Sequence, residues 1–120
     1  MGTTISFYHE ATIDVTEVHA ALSQIVGDVN IAGIDEGSRI APFKDESGIT
    51  LDQEDYYIRF DLNHQRRSMQ VFTSNYGENP LAERGVYATM ISLGSDRDSQ
   101  ELMPKLAEHF GGVLVDEALG

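Results

Sequence analysis

Tyr56-Tyr57-Ile58-Arg59-Phe60-Asp61-Leu62 is the stretch that decides the fold. Tyr56, Ile58, Phe60 and Leu62 fall on one side of an extended chain, and Tyr57, Arg59 and Asp61 on the other, because side chains alternate faces along a strand. A strand with one apolar and one polar side is covered on one side only, which is the habit of antiparallel sheets. Downstream, Asn63 to Arg67 is polar and turn-like. Ser68 to Ser74 then alternates again, with Met69 and Val71 opposed to Gln70 and Phe72. The two segments predict an antiparallel hairpin closed by a short loop.

Working outward toward the N-terminus, residues 35–55 hold Gly37, Pro42, Gly48 and the carboxylates Asp35, Glu36, Asp45, Glu46, Asp52, Glu54 and Asp55, opposed only by Arg39 and Lys44. Without apolar alternation this reads as a long loop, with a short strand around Arg39–Phe43. Long loops inside a domain tend to be functional. Val29 to Ile34 reads as a strand. Before it, Asp14 and Glu17 have capping-box spacing, and Val15, Val18, Leu22, Ile25 and Val26 line one helical face up to Gly27. Thr3 to His9 is a strand, with Ile5 and Phe7 alternating with Thr4, Ser6 and Tyr8.

Toward the C-terminus, Asn75 to Pro80 is a loop marked by Gly77 and Asn79-Pro80. Gly85 to Leu93 is a β-branched, apolar strand. A second helix follows, with Asp98 and Glu101 as a capping pair and Leu102, Met103, Leu106, Ala107 and Phe110 as its apolar face. Pro104 favours a start nearer Gln100–Glu101, since proline is tolerated chiefly in a first turn. Gly111-Gly112 ends the helix, and Val113-Leu114-Val115 is a last short strand. The pattern predicts one α+β domain over residues 1–120, a mostly antiparallel sheet with two helices packed on one face in two layers.

The composition narrows function by exclusion. The chain has 20 Asp+Glu against 8 Lys+Arg, a net charge of −12, and no cysteine. A surface that grips nucleic-acid phosphates needs clustered Lys and Arg, and Arg66-Arg67 is too small a patch. Absent cysteine excludes disulfides, zinc–thiolate sites and a cysteine nucleophile. No apolar run reaches the roughly 18 residues of a membrane span, and no signal peptide opens the chain. No cofactor or resident metal is expected, and a cytoplasmic location is.

Enzyme chemistry finds little to stand on. There is no Gly-x-Ser-x-Gly elbow. Leu93-Gly94-Ser95-Asp96 precedes a helix but lacks a phosphate-loop lysine and carries its own carboxylates. Among the histidines, His19 reads as a boundary residue of the first helix, and His109 as a favourable charge in the last turn of the second. His9, Asp61 and His64 would form an acid–base or metal cluster if their segments abut, which makes a small enzyme or metal- or ligand-binding domain the alternative reading.

The acidic stretch beside the strongest strand suggests an interface instead. Asp45, Glu46, Asp52, Glu54, Asp55, Tyr57 and Arg59 are the candidate contact residues for a basic protein partner. Aromatics and Arg anchor interfaces, and carboxylates raise association rates. A homodimer through an exposed strand such as Ser68–Ser74 is a further alternative.

Tyr87-Ala88-Thr89-Met90-Ile91-Ser92-Leu93-Gly94, then a helix ending His109-Phe110-Gly111-Gly112, then Val115-Asp116-Glu117, resembles the tail of small bacterial proteins of the toxin–immunity type. The acidic end here is short, Asp116-Glu117 followed by Ala118-Leu119-Gly120. The resemblance implies a cytoplasmic antidote that occludes a toxin, such as a nuclease with a basic active site. The sequence reading is therefore a small, non-enzymatic, acidic protein-binding domain of the immunity type.

Overall fold

The computed structural model describes residues 3–37, 40–44, 50–75 and 87–117. Its elements run β1 (Thr4–His9), α1 (Val15–Val26), β2 (Ile31–Glu36), β3 (Ile40–Lys44), β4 (Thr50–Leu62), β5 (Gln65–Asn75), β6 (Thr89–Gly94), α2 (Arg97–Phe110) and β7 (Val113–Asp116). All the strands belong to one antiparallel sheet of order β2-β4-β5-β6-β1-β7, with β3 beside β4 as well. This is an α+β two-layer fold, as the alternation predicts.

The hairpin is tighter than its polar sequence suggests. β4 and β5 pair without interruption from Asp52↔Asn75 to Leu62↔Gln65, so the loop is only Asn63 and His64. Both have positive φ, 49° and 66°. That backbone matches the twist of a two-residue hairpin, and Asn and His tolerate it better than most residues. Arg66 and Arg67 therefore lie on β5 rather than in a turn.

The stretch read as a long loop is corrected by the register. β4 begins at Thr50 and its first half is zipped on both edges, by β3 (Ile40↔Gln53, Lys44↔Thr50) and by β5. β2 takes the same edge of β4 further along, from Glu36↔Tyr56 to Ile31↔Phe60. Pairing on both edges overrides the low strand propensity of Asp and Glu there, because that propensity reflects context more than backbone preference. Val29, read as part of a strand, is 90% exposed in a 3₁₀ turn over Asp28–Asn30 that precedes β2.

Both helices pack on the face that carries Ile5, Phe7, Ile58, Phe60, Met69, Val71, Ile91 and Leu93, all buried. α1 contributes Val15, Val18, Ala21 and Leu22, and α2 contributes Leu102, Met103 and Leu106. α1 starts with the predicted capping box: the Glu17 carboxylate accepts from the Asp14 amide at 3.0 Å, and Asp14 accepts from Thr16 at 3.3 Å. The link from β1 to α1 is fastened by Thr89, whose buried hydroxyl accepts from the Ile13 amide and donates to the Ala11 carbonyl, each at 2.9 Å.

α2 departs from expectation at its start. Its cap is Asp96, which accepts from the Ser99 amide at 2.9 Å, and the helix begins at Arg97. Pro104 sits inside the helix on its exposed side, where the ring projects to solvent and one bond to the Gln100 carbonyl is forgone. The two glycines after α2 do different work. Gly111 has φ 75° and caps the helix, while a Cβ on Gly112 would overlap the Phe7 ring and the Tyr8 carbonyl. Close packing of β7 against β1 thus requires the second glycine.

Candidate protein-binding face

With both helices on one side, the other side of the sheet carries no layer among the described residues. The register lays its side chains out in rows. One row crosses five strands: Asp55↔Phe72↔Met90↔Tyr8↔Val113. The next crosses six: Asp35↔Tyr57↔Gln70↔Ser92↔Ser6↔Val115. Phe72, Met90, Tyr8 and Tyr57 are half-buried, and Val113 and Val115 are 45% and 46% exposed. Between them Ser6 donates to Ser92 at 3.1 Å, a small buried polar centre flanked by larger side chains. The face is thus amphipathic, with aromatic and aliphatic groups toward β7 and charge toward β2, where Asp35, Asp55 and Arg59 lie.

The sequence-predicted contact residues divide over this geometry. Asp55, Tyr57 and Arg59 lie together on the uncovered side of β4. Glu54 has the opposite parity: it shares the helix side with Tyr56, whose hydroxyl donates to it at 3.0 Å. Asp52 lies on β4 in register with Asn75. Asp45 and Glu46 lie outside the described residues. A strand cannot present Glu54 and Asp55 to one partner surface, since consecutive side chains point to opposite faces.

The carboxylates that do reach the uncovered face are mostly engaged. Asp35 meets Arg59 at 2.5 Å and Asp61 meets Arg66 at 2.8 Å. Asp55 accepts from Gln70 at 3.1 Å. The Arg59 guanidinium lies across Gly33, where a Cβ would come within 3.1 Å of it. Arg67, on the helix side of β5, pairs with Asp96 and reaches Asp98 at 3.6 Å. Burial alone would raise the Asp96 carboxyl, but the Ser99 amide and Arg67 outweigh it and hold the group below its ordinary range.

The alternative cluster does not assemble. His9 shares a row with Thr89, Thr73 and Glu54, whereas Asp61 and His64 sit at the hairpin end of β4. The eight residue-to-residue steps from Glu54 to Leu62 span about 26 Å at ~3.3 Å each. His9 Nδ1 accepts instead from the Ala11 amide at 3.0 Å, and His64 is exposed beside Asn30, Asp61 and Asn63. Among the described residues, no group of three or more His, Cys, Asp or Glu could hold a metal ion.

Tyr8, Phe72, Met90 and Val113 were not singled out by sequence reasoning, although a signal existed. Tyr8 and Phe72 are large rings on the polar parity of strands whose other side is already the core. The acidic tail is explained locally: Ser95 donates to Asp116 at 2.6 Å, and Glu117 exchanges contacts with the Thr4 backbone.

Compared with protein-family models, with curated proteins and with solved structures, the chain gives no match. No described helix is long and apolar enough to cross a membrane.

Proposed function

We propose that the chain is a protein-binding domain that offers the uncovered side of its sheet to a basic protein, in the manner of an inhibitor that occludes its target. One observation carries this reading: the partly exposed aromatic and aliphatic side chains Tyr8, Tyr57, Phe72, Met90, Val113 and Val115 share a sheet face that carries no covering layer among the described residues. Exposed apolar patches rimmed by polar groups mark interaction sites. The net charge of −12 supplies long-range attraction to a basic partner and opposes self-association. Affinity then rests on the rings, and the charge sets rate and orientation. An antidote to a basic toxin, acting in the cytoplasm, is the finer form of this proposal, supported by the charge and by the resemblance of the tail.

The test uses the immobilised chain and an extract of the source cells at low salt. Phe72→Lys on the uncovered face and Gln24→Lys on the exposed side of α1 change the charge equally. The basic proteins retained by the wild type are expected to remain on Gln24→Lys and to be lost from Phe72→Lys, both variants being folded by circular dichroism. Equal retention by the two variants overturns the proposal. Light scattering of the same wild-type protein is expected to report a monomer, and a stable dimer blocked by Phe72→Lys would mean that this face meets its own copy.

A further inference from the structure

Between the tip of the β4–β5 hairpin and the two helices lies a cleft of about 280 Å³, and every residue that lines it is described. Ile25 and Val26 of α1, Leu62 of β4 and Leu102 of α2 give it an apolar floor. Two of its three carboxylates are already engaged. Asp61 pairs with Arg66 at 2.8 Å, and Asp98 accepts from the Asn63 side chain at 2.7 Å and reaches Arg67 at 3.6 Å. Asn63 thereby commits its amide nitrogen and keeps its oxygen as an acceptor. Asn30, also in the lining, does likewise, since its nitrogen donates to the Val26 carbonyl at the end of α1. Glu101 and Lys105 differ from these. Both are exposed, and neither side chain has a hydrogen bond or ion pair with a described residue. They stand one turn apart on α2, where Cβ atoms are about 5–6 Å apart.

No single charge suits this setting. A simple cation meets Lys105, with Arg66 and Arg67 beside the engaged carboxylates, and a simple anion meets Glu101, Asp61 and Asp98. A molecule that carries both charges close together meets an opposite charge for each. From the unpaired Glu101 and Lys105 above an apolar floor, we propose that the cleft binds a free α-amino acid with a mid-sized aliphatic side chain. Its ammonium has three N–H donors, and Glu101 with the side-chain oxygens of Asn30 and Asn63 supplies three acceptors. Its carboxylate pairs with Lys105. Its side chain covers the floor, which supplies affinity, while the charges select the ligand. The size agrees, because sites for drug-sized ligands run from ~300 to 1,000 Å³ and this cleft falls just below them. The proposal stands apart from the docking reading, since the cleft lies among the hairpin tip and the helices and not among the rings of the uncovered face.

The probe is L-leucine, titrated into the whole isotope-labelled chain and followed through amide shifts. Isocaproate and isoamylamine carry the leucine side chain with only one of the two charges, and glycine carries both charges without the side chain. Saturable shifts are expected at Asn30, Asn63, Glu101 and Leu102 with leucine, and markedly weaker binding with the other three. Glu101→Gln and Lys105→Gln, both at exposed positions, should each weaken leucine binding about fivefold, the upper worth of one exposed ion pair. Their signatures differ in a way that a general loosening of α2 would not produce. Lys105→Gln should erase the advantage of leucine over isoamylamine, and Glu101→Gln should reduce its advantage over isocaproate. Both variants should keep the wild-type unfolding midpoint. The absence of saturable shifts with leucine overturns the proposal. Equal binding of leucine and any one of the three controls overturns it too, as do saturable shifts confined to residues outside the cleft.

Discussion

The two sides of the sheet are written by the same alternating strands and end in different states. On the helix side, Phe7, Ile58, Phe60, Met69, Val71 and Ile91 have no exposed surface. On the other side, Tyr8, Tyr57, Phe72 and Met90 sit one residue away from them and stay half-open to solvent. The contrast shows how function can be separated from stability within a single strand. A residue moved by one position changes from a core group, whose loss leaves a cavity, to a surface group, whose loss leaves the fold intact. Two phenylalanines, Phe60 on β4 and Phe72 on β5, make the comparison direct. Phe60→Ala should lower the unfolding free energy by about 3–5 kcal/mol, from lost transfer energy and an unfilled cavity. Phe72→Ala should cost about 1 kcal/mol or less, within the range of surface substitutions, and should act on partner binding instead. Urea denaturation of the two variants tests this. Similar large losses from both would mean that the second side is also buried, and the separation would fail.

The helix side holds a polar device of its own, at the junction of β5 and α2. Asp96 caps α2 and pairs with Arg67, whose side chain is 17% exposed. Asp96→Ala should cost about 1 kcal/mol for the cap alone. The ion pair adds little beyond this, because the Asp96 side chain is 39% exposed and solvent screens it. The pH dependence has a definite sign. The folded carboxyl titrates below its ordinary value of 3.8, so its contribution is present above that pH and is lost as pH falls through the lower folded value. Thermal denaturation from pH 2 to pH 6 should therefore be less steep in acid for Asp96→Ala than for the wild type. A parallel pair of curves would show that neither the bond from the Ser99 amide nor the pairing with Arg67 holds this carboxyl low in solution.

How much of this was legible in the sequence depends on which force fixed each part. Tyr56–Leu62 and Ser68–Ser74 carry their own alternation, so the hairpin and its faces could be read without a structure. The α1 cap could be read because Asp14 and Glu17 satisfy each other locally. The first half of β4 could not be read, because Asp52, Glu54 and Asp55 show no apolar pattern and are held extended by partners on both edges. The same error placed Glu54 and Asp55 on one imagined acidic surface. The start of α2 was misplaced because Pro104 was given the weight of a first-turn residue and Asp98 that of the cap, whereas Asp96 accepts from the Ser99 amide and Pro104 is accommodated on the exposed side of the helix. The separation of His9 from His64 is a matter of register, which residue types do not disclose.

The smallest expected effect on stability concerns the charged end of the uncovered side, and it refines the comparison most closely. Arg59 and Asp35 are joined at 2.5 Å with side chains 43% and 51% exposed, an arrangement worth about 0–1 kcal/mol in stability. Arg59→Ala should therefore leave the unfolding midpoint nearly unchanged. Gly33 supplies a second handle, because its missing side chain gives the guanidinium room to lie across β2. Gly33→Val keeps the charge and displaces the group. If this end of the face orients the partner, both variants should weaken retention by a similar factor, since the position of the guanidinium is lost in each. Weakening by Arg59→Ala alone would assign the effect to charge rather than placement. Undiminished retention by both would confine the docking surface to the aromatic row from Phe72 to Val113, where the rings, and not the ion pair, distinguish this side of the sheet from the core.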